Sequence, residues 1–256
     1  MNHFVVMALV ATLGTWFVTA LGAATVVFFT SPNPKGLNVM LGFSSGVMIA
    51  ASFWSLLQPA IERAEAASGL PAYLVATVGF LSGALFLWAS DKAVAFARRK
   101  ADLAEGRSNQ RLHRIVMLIL SITLHNIPEG LAVGVAFGAL SFGTSEALLM
   151  GAWMLAIGIA LQNFPEGAAV SLPLRREGMH RRKAFFYGQL SGAVEPLAAV
   201  LGCLLAVYVQ SVLPFALAFA AGAMVVVVIA ELVPESQRSL HPAVMTAATM
   251  LGFAVM

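Results

Sequence analysis

A chain of 256 residues that is 59% hydrophobic and only 11% charged, with a net charge of +3, is not composed for water, since a soluble domain carries about 25% charged residues. Its one cysteine, Cys203, excludes an internal disulfide framework and a thiolate metal site. The pI of about 9.4 reflects basic loops and so membrane orientation, and no nucleic-acid partner is expected.

Runs free of Asp, Glu, Lys and Arg, among them Met1 to Pro34, Gly36 to Ile61 and Ala66 to Ser90, each exceed the roughly 20 residues that span a bilayer. The first run is too weakly basic and too poor in a cleavage pattern for a signal peptide and reads as a span. In chain order the pattern predicts helices near 4–29, 37–60, 71–90, 115–138, 146–172, 184–207, 212–233 and 242–256. The expected fold is therefore an all-α, polytopic membrane bundle of about eight transmembrane helices, forming one transport domain over 1–256. Ser31 to Gly36 reads as a turn, 91–114 as a charged cytoplasmic loop and Arg175 to Lys183 as a short basic loop. The last segment, from Pro242 to Met256, is short for a span and fits a chain that stops inside its final helix.

Positive charge marks the cytoplasmic side of membrane proteins. With eight helices, the loops after the first, third, fifth and seventh share a side. They hold every one of the 15 basic residues except Arg63. Both termini are then expected outside or in the periplasm, and the chain in the cell (inner) membrane.

A charge at the centre of a membrane helix costs about 2.5 to 3.5 kcal/mol on insertion scales, so an intramembrane carboxylate is a functional signal by default. Glu129, Glu166, Glu195 and Glu231 lie inside the fourth to seventh segments, with no Lys or Arg in those apolar stretches. The fourth segment carries His125-Asn126-Ile127-Pro128-Glu129-Gly130, and the fifth carries Gln162-Asn163-Phe164-Pro165-Glu166-Gly167. In each string the first residue and the Glu are four apart, on one helical face, and the Asn and the Glu are three apart. Each proline lacks an amide hydrogen and clashes with the carbonyl four residues back, a break that membranes tolerate where a polar site is built. Imidazole with carboxylate oxygen suits zinc, iron, manganese, cobalt or cadmium, whereas magnesium and calcium prefer all-oxygen sites. A lone buried histidine is more often a satisfied core residue. What lifts His125 is the matched second cluster. Asn126 and Asn163 read as ligands or as interhelical hydrogen-bonding residues, Glu195 sits before Pro196, and Glu231 lies nearer a helix end, where a solvated carboxylate is the competing reading.

These residues carry a resemblance. The paired strings HNIPEG and QNFPEG, the pair Glu195-Pro196, and the stretches SSGVMIAASFWSLLQPAIE and AGAMVVVVIAELVPES resemble the ZIP (Zrt/Irt-like protein) family of divalent metal transporters, in its prokaryotic branch. The resemblance spans nearly the whole chain. It implies a site for two metals between the fourth, fifth and sixth helices: one held by His125, Glu129, Gln162 and Glu166 with Met48 as a soft ligand, the other by Asn126, Asn163, Glu166 and Glu195. Ser55 and Glu231 resemble residues along the family's metal path. Asn163 stands where prokaryotic relatives often have Asp, so three carboxylates face the four positive charges of two ions, and one metal in transit fits the charge count equally well. The resemblance implies transport towards the cytoplasm, with zinc as substrate and no cofactor. The expected partners are divalent metal ions, the lipid bilayer and a second copy in a homodimer. Two other classes compete, an intramembrane carboxylate-bridged metalloenzyme and a metal-independent proton-coupled carrier. The chain has no HExxH string and a single histidine among these carboxylates, which disfavours the enzyme.

Overall fold

The computed structural model describes the backbone of residues 3–28, 34–66, 69–104, 110–143, 145–176, 178–238 and 241–256, with side chains in these ranges except at 34, 97–104, 110–122, 176 and 210. Among the described residues it is helical throughout, without strands. Eight rods follow in order: α1 (His3–Phe28), α2 (34–66), α3 (Ala72–Ala104), α4 (Gln110–Ala139), α5 (Glu146–Arg176), α6 (Arg181–Tyr208), α7 (Leu213–Gln237) and α8 (Pro242–Val255). Of these, α1, α2, α3, α5, α6 and α7 are long and apolar enough to cross a membrane. Leu81, Leu85, Trp88, Leu197, Leu201 and Ile229 are among many large apolar side chains left exposed, as a lipid-facing surface requires.

The expected loop over 91–114 is largely helical instead. α3 continues to Ala104 and α4 begins at Gln110. No Gly or Pro interrupts 91–104, which is rich in alanine, so helix propensity carries the rod onward after apolarity ends. Likewise α2 and α7 run past their expected ends, to Ala66 and Gln237. The expected turn at Ser31 to Gly36 lies partly outside the described residues, and helix begins at Pro34.

Two rods widen locally to a π-helix, α2 at Ala51–Leu57 and α7 at Val228–Leu232. Each widening stands just ahead of a proline, Pro59 or Pro234. A proline ring collides with the carbonyl four residues back, and a π turn lets the backbone absorb that collision without breaking the rod.

The most extensive helix pairs are α1 with α5, α2 with α8, α3 with α7 and α4 with α6. None of these partners is consecutive in the chain. Each pair closes through glycine: a Cβ added at Gly22, Gly46, Gly83 or Gly134 would overlap the carbonyl oxygen of Phe164, Thr249, Phe219 or Ala199 respectively. Small residues at such crossings let membrane helices gain van der Waals contact where no hydrophobic force drives them together.

Replacing Gly134 by Leu should therefore separate α4 from α6 and cost several kcal/mol, on the order of the upper range for overpacking. Gly151→Ala, where a Cβ meets open space, should be neutral. Thermal unfolding and gel-filtration profiles in detergent would distinguish the two, and equal behaviour would refute the close-packing argument.

Candidate metal site

The helical spacing of the two sequence strings becomes a single buried cluster because α4, α5 and α6 converge. His125, Asn126, Glu129, Gln162, Asn163 and Glu195 are all buried, whereas Glu166 and Glu231 are partly exposed. Both α4 and α5 run unbroken through their prolines, Pro128 and Pro165. In α6 the rod tightens to a 3₁₀ turn at Ser191–Ala193, directly before Glu195. Pro196 has no N–H to offer the preceding turn, and the Asn126 amide donates to the Ser191 carbonyl there at 2.8 Å.

Within the cluster, Gln162 Nε2 donates to Glu129 Oε1 at 2.6 Å. Asn163 Nδ2 donates to both oxygens of Glu195, at 2.8 and 2.9 Å, and the Thr15 hydroxyl donates to Glu195 Oε2. The amide hydrogens are thus spent on carboxylates and carbonyls. What is left over is acceptor oxygen: Asn126 Oδ1, Glu129 Oε2, Gln162 Oε1 and Asn163 Oδ1 are buried with no hydrogen-bond partner. Buried polar atoms are ordinarily paired, and acceptors with no donor are what a cation satisfies. Glu129 lies close enough to Glu166 and Glu195 to feel their charge, and Glu166 feels Glu195 and Glu231.

On the other side of His125 a second grouping forms. His125 Nε2 lies 3.3 Å from Asp91 Oδ1 and 3.1 Å from Glu231 Oε1, and the ligand atoms of the three residues fall within 4.8 Å of one another. One ring nitrogen has at most one hydrogen to give, so two carboxylates crowd a single donor, an arrangement that a divalent ion would relieve. His125, Glu166 and Glu231 line a cavity of about 310 Å³ that reaches Pro234, Glu235 and Arg238 at the end of α7.

Of the nine residues expected as ligands, hydrogen bonds join Glu129 with Gln162 and Asn163 with Glu195, Asn126 bonds the Ser191 carbonyl of α6, and His125 meets Glu231 beside the cavity that Glu166 also lines. The ligand atoms of His125 converge with those of Asp91 and Glu231 and not with those of Glu129, Glu166 or Glu195. Met48 is fully buried in the apolar core of α2. Ser55 does not join: it lines a separate cavity with Trp54, Pro59 and Arg63. Two residues escaped the sequence reading. Asp91 was assigned to a loop, although it follows buried Leu87 by one helical turn. Thr15 is an uncharged residue in an apolar span, and nothing in its spacing distinguishes it from other threonines of α1.

With that geometry in place, comparison with known proteins is direct. The profile of the family described as "ZIP Zinc transporter" matches residues 103–256. The chain belongs to the ZIP family. It is 40% identical to "Zinc transporter ZIP11" of Bos taurus, covering 97% of this chain and 95% of that protein. It is 36% identical to "Zinc transporter GufA" of Myxococcus xanthus, over 96% of this chain and 94% of the relative. "Zinc transporter ZIPB" of Bordetella bronchiseptica is 34% identical, over 93% and 75%. Membership makes the chain a multi-pass membrane protein of a transporter family, in which these relatives are named as transporters and not as enzymes, and it fits the polytopic bundle expected from composition.

If the carboxylates beside His125 hold it for metal binding, Asp91→Asn and Glu231→Gln should each weaken zinc binding by about 10- to 100-fold, the range seen when groups supporting a metal ligand are lost. Equilibrium dialysis with zinc measures this. Unchanged affinity in both variants would detach the Asp91–His125–Glu231 group from the site.

Proposed function

We propose that this ZIP-family chain carries divalent transition-metal ions across the cell inner membrane towards the cytoplasm, with zinc foremost and iron, manganese, cobalt and cadmium in the same class. The metal is substrate, and no resident cofactor is part of this reading. The observation that carries it is the set of four partnerless acceptor oxygens on Asn126, Glu129, Gln162 and Asn163, gathered from two helices beside His125. Neutral imidazole with carboxylate and amide oxygens is a borderline donor set suited to zinc and its neighbours.

In this reading His125, Glu129, Gln162 and Glu166 hold the ion, with Met48 as a soft ligand from α2. Asn126, Asn163 and Glu195 form the adjoining position. Glu231 and Asp91 receive the ion on its way out through the cavity that ends at Glu235 and Arg238. The direction follows from charge. That cavity opens at the end of α7, on the side that alternation assigns to the basic loops after α1, α3, α5 and α7, which is cytoplasmic by the positive-inside rule. Both termini then face outward. Towards the opposite side, Phe137, Leu140, Leu155 and Leu217 are fully or nearly fully buried, so entry requires the bundle to rearrange around the site, as in alternating access. The reading treats 1–256 as one transport domain in a lipid bilayer, which the exposed apolar side chains support. The homodimer belongs to it on the sequence expectation alone.

Uptake of radioactive zinc into proteoliposomes should be robust for the native chain and lost in Glu166→Ala while that variant remains folded. Because histidine and carboxylate ligands bind metal only when deprotonated, uptake should fall as the external pH drops through about 5, near the carboxylate range. Correctly inserted native protein that moves none of zinc, iron, manganese and cadmium would end the transporter reading.

A further inference from the structure

Glu195 is fully buried, and among the described residues no Lys, Arg or His forms an ion pair with it. Its carboxylate is held by neutral donors alone. Asn163 Nδ2 bridges both oxygens, and the Thr15 hydroxyl takes Oε2. The same Asn163 Nδ2 also lies 3.3 Å from the Thr15 carbonyl oxygen. Thr15 therefore grips Glu195 directly with its side chain and indirectly through the amide that its backbone helps to orient. This threonine lies on α1, the one helix of the α1–α4–α5–α6 group that contributes no charged side chain near the site.

The Thr15 hydroxyl has a second acceptor within reach, the Thr12 carbonyl oxygen at 3.0 Å. A hydroxyl carries one hydrogen. It can give that hydrogen to Glu195 or to Thr12, and in either position the hydrogen remains bonded inside the bundle. Back-bonding of this kind to the preceding turn is an ordinary conformation for a helical threonine.

We propose that Thr15 is a positioning residue of the metal site: its hydroxyl holds Glu195 Oε2 and competes with a divalent ion for that oxygen, turning to the Thr12 carbonyl when the ion binds and returning when it leaves. This rests on the reading of the cluster as a metal site. Competition from Thr15 lowers affinity and speeds release, so the residue sets how tightly Glu195 retains an ion. A threonine that served packing alone would have no such effect on the balance between binding and turnover.

Zinc binding by equilibrium dialysis and zinc uptake into proteoliposomes should be measured for the native chain, Thr15→Val, Thr15→Ser and Thr15→Ala. Removing the donor in Thr15→Val should lower Kd and KM by about tenfold, the scale of one hydrogen bond to a charged group, and should lower kcat with them. Thr15→Ala should do the same, and it covers the case in which the valine variant does not fold. Thr15→Ser keeps the hydroxyl and should bring both constants back towards native values. A raised or unchanged KM in the valine and alanine variants, or a serine variant as altered as the valine one, would overturn the role of Thr15 while leaving the metal site intact. Native protein that binds neither zinc, cobalt nor cadmium would overturn the metal-site reading and this proposal together.

Discussion

Everything in this bundle is arranged around carboxylates that have been taken out of water without a basic residue to pair with them. Glu129 and Glu195 are buried to the last few per cent, and among the described residues the ion pairs of the protein interior involve only His125 with Asp91 and Glu231. Desolvated charge of this kind is costly unless it is paired and hydrogen-bonded. The protein offsets part of that cost with neutral donors: the amides of Gln162 and Asn163 and the hydroxyl of Thr15. Using the amide hydrogens in this way leaves the amide oxygens facing inward without partners. The same arrangement that stabilises the carboxylates thus prepares a cage of oxygens with a net deficit of positive charge. A group fully neutralised by arginine would have been more stable and useless for binding a cation that must also leave.

Such a site needs backbones that approach closely and helices that tolerate a missing hydrogen bond in mid-membrane. The glycine crossings supply the first. Gly130 against the Glu195 backbone brings α4 and α6 into contact immediately beside Glu129 and Glu195, with Gly134 against Ala199 one turn on, and Gly22 against Phe164 brings α1 onto α5 next to Asn163. The prolines supply the second. Pro128, Pro165 and Pro196 each withdraw one amide hydrogen next to a glutamate of the cluster, and in α6 the Asn126 side chain donates to the Ser191 carbonyl in the turn before Pro196. The π turn of α7 has a comparable local cause in Pro234, and it holds Glu231, whose carboxylate reaches His125. Packing defects and polar chemistry coincide because backbone irregularity in a membrane is affordable only where polar groups are already present to satisfy it.

The surroundings of His125 show two faces of one residue. Towards α5 it shares the cavity wall with Glu166, and towards α3 and α7 it meets Asp91 and Glu231. In the proposed reading, an ion bound at His125 is already adjacent to the Asp91 and Glu231 carboxylates. The pairing of helices divides in the same way, with α1, α4, α5 and α6 carrying the deep cluster and α3 and α7 carrying the two outlying acids.

Much of this was legible in the sequence. The strings around Pro128 and Pro165 place His125, Glu129, Gln162 and Glu166 on matching faces by helical period alone, and the absence of basic residues near four carboxylates implies a cation. The eight rods follow from apolar runs of membrane length. Where the reading stopped, it stopped for physical reasons. Charge suggested a loop after Ser90, but an alanine-rich segment outside the membrane can remain helical, and so Asp91 was set aside although it lies one turn beyond Leu87. Thr15 carries no signal at all, because a threonine's role depends on which acceptor lies across the helix contact. The sequence by itself determined the solvent, the spans and which polar residues share a helix face, since these depend on composition and on spacings within one helix. Only the tertiary structure decided that α1 pairs with α5 and α4 with α6, and that Asp91 and Glu231 meet at one imidazole. Those contacts join residues far apart in the chain, and they arise from glycine-scale complementarity between helix surfaces that no local pattern encodes.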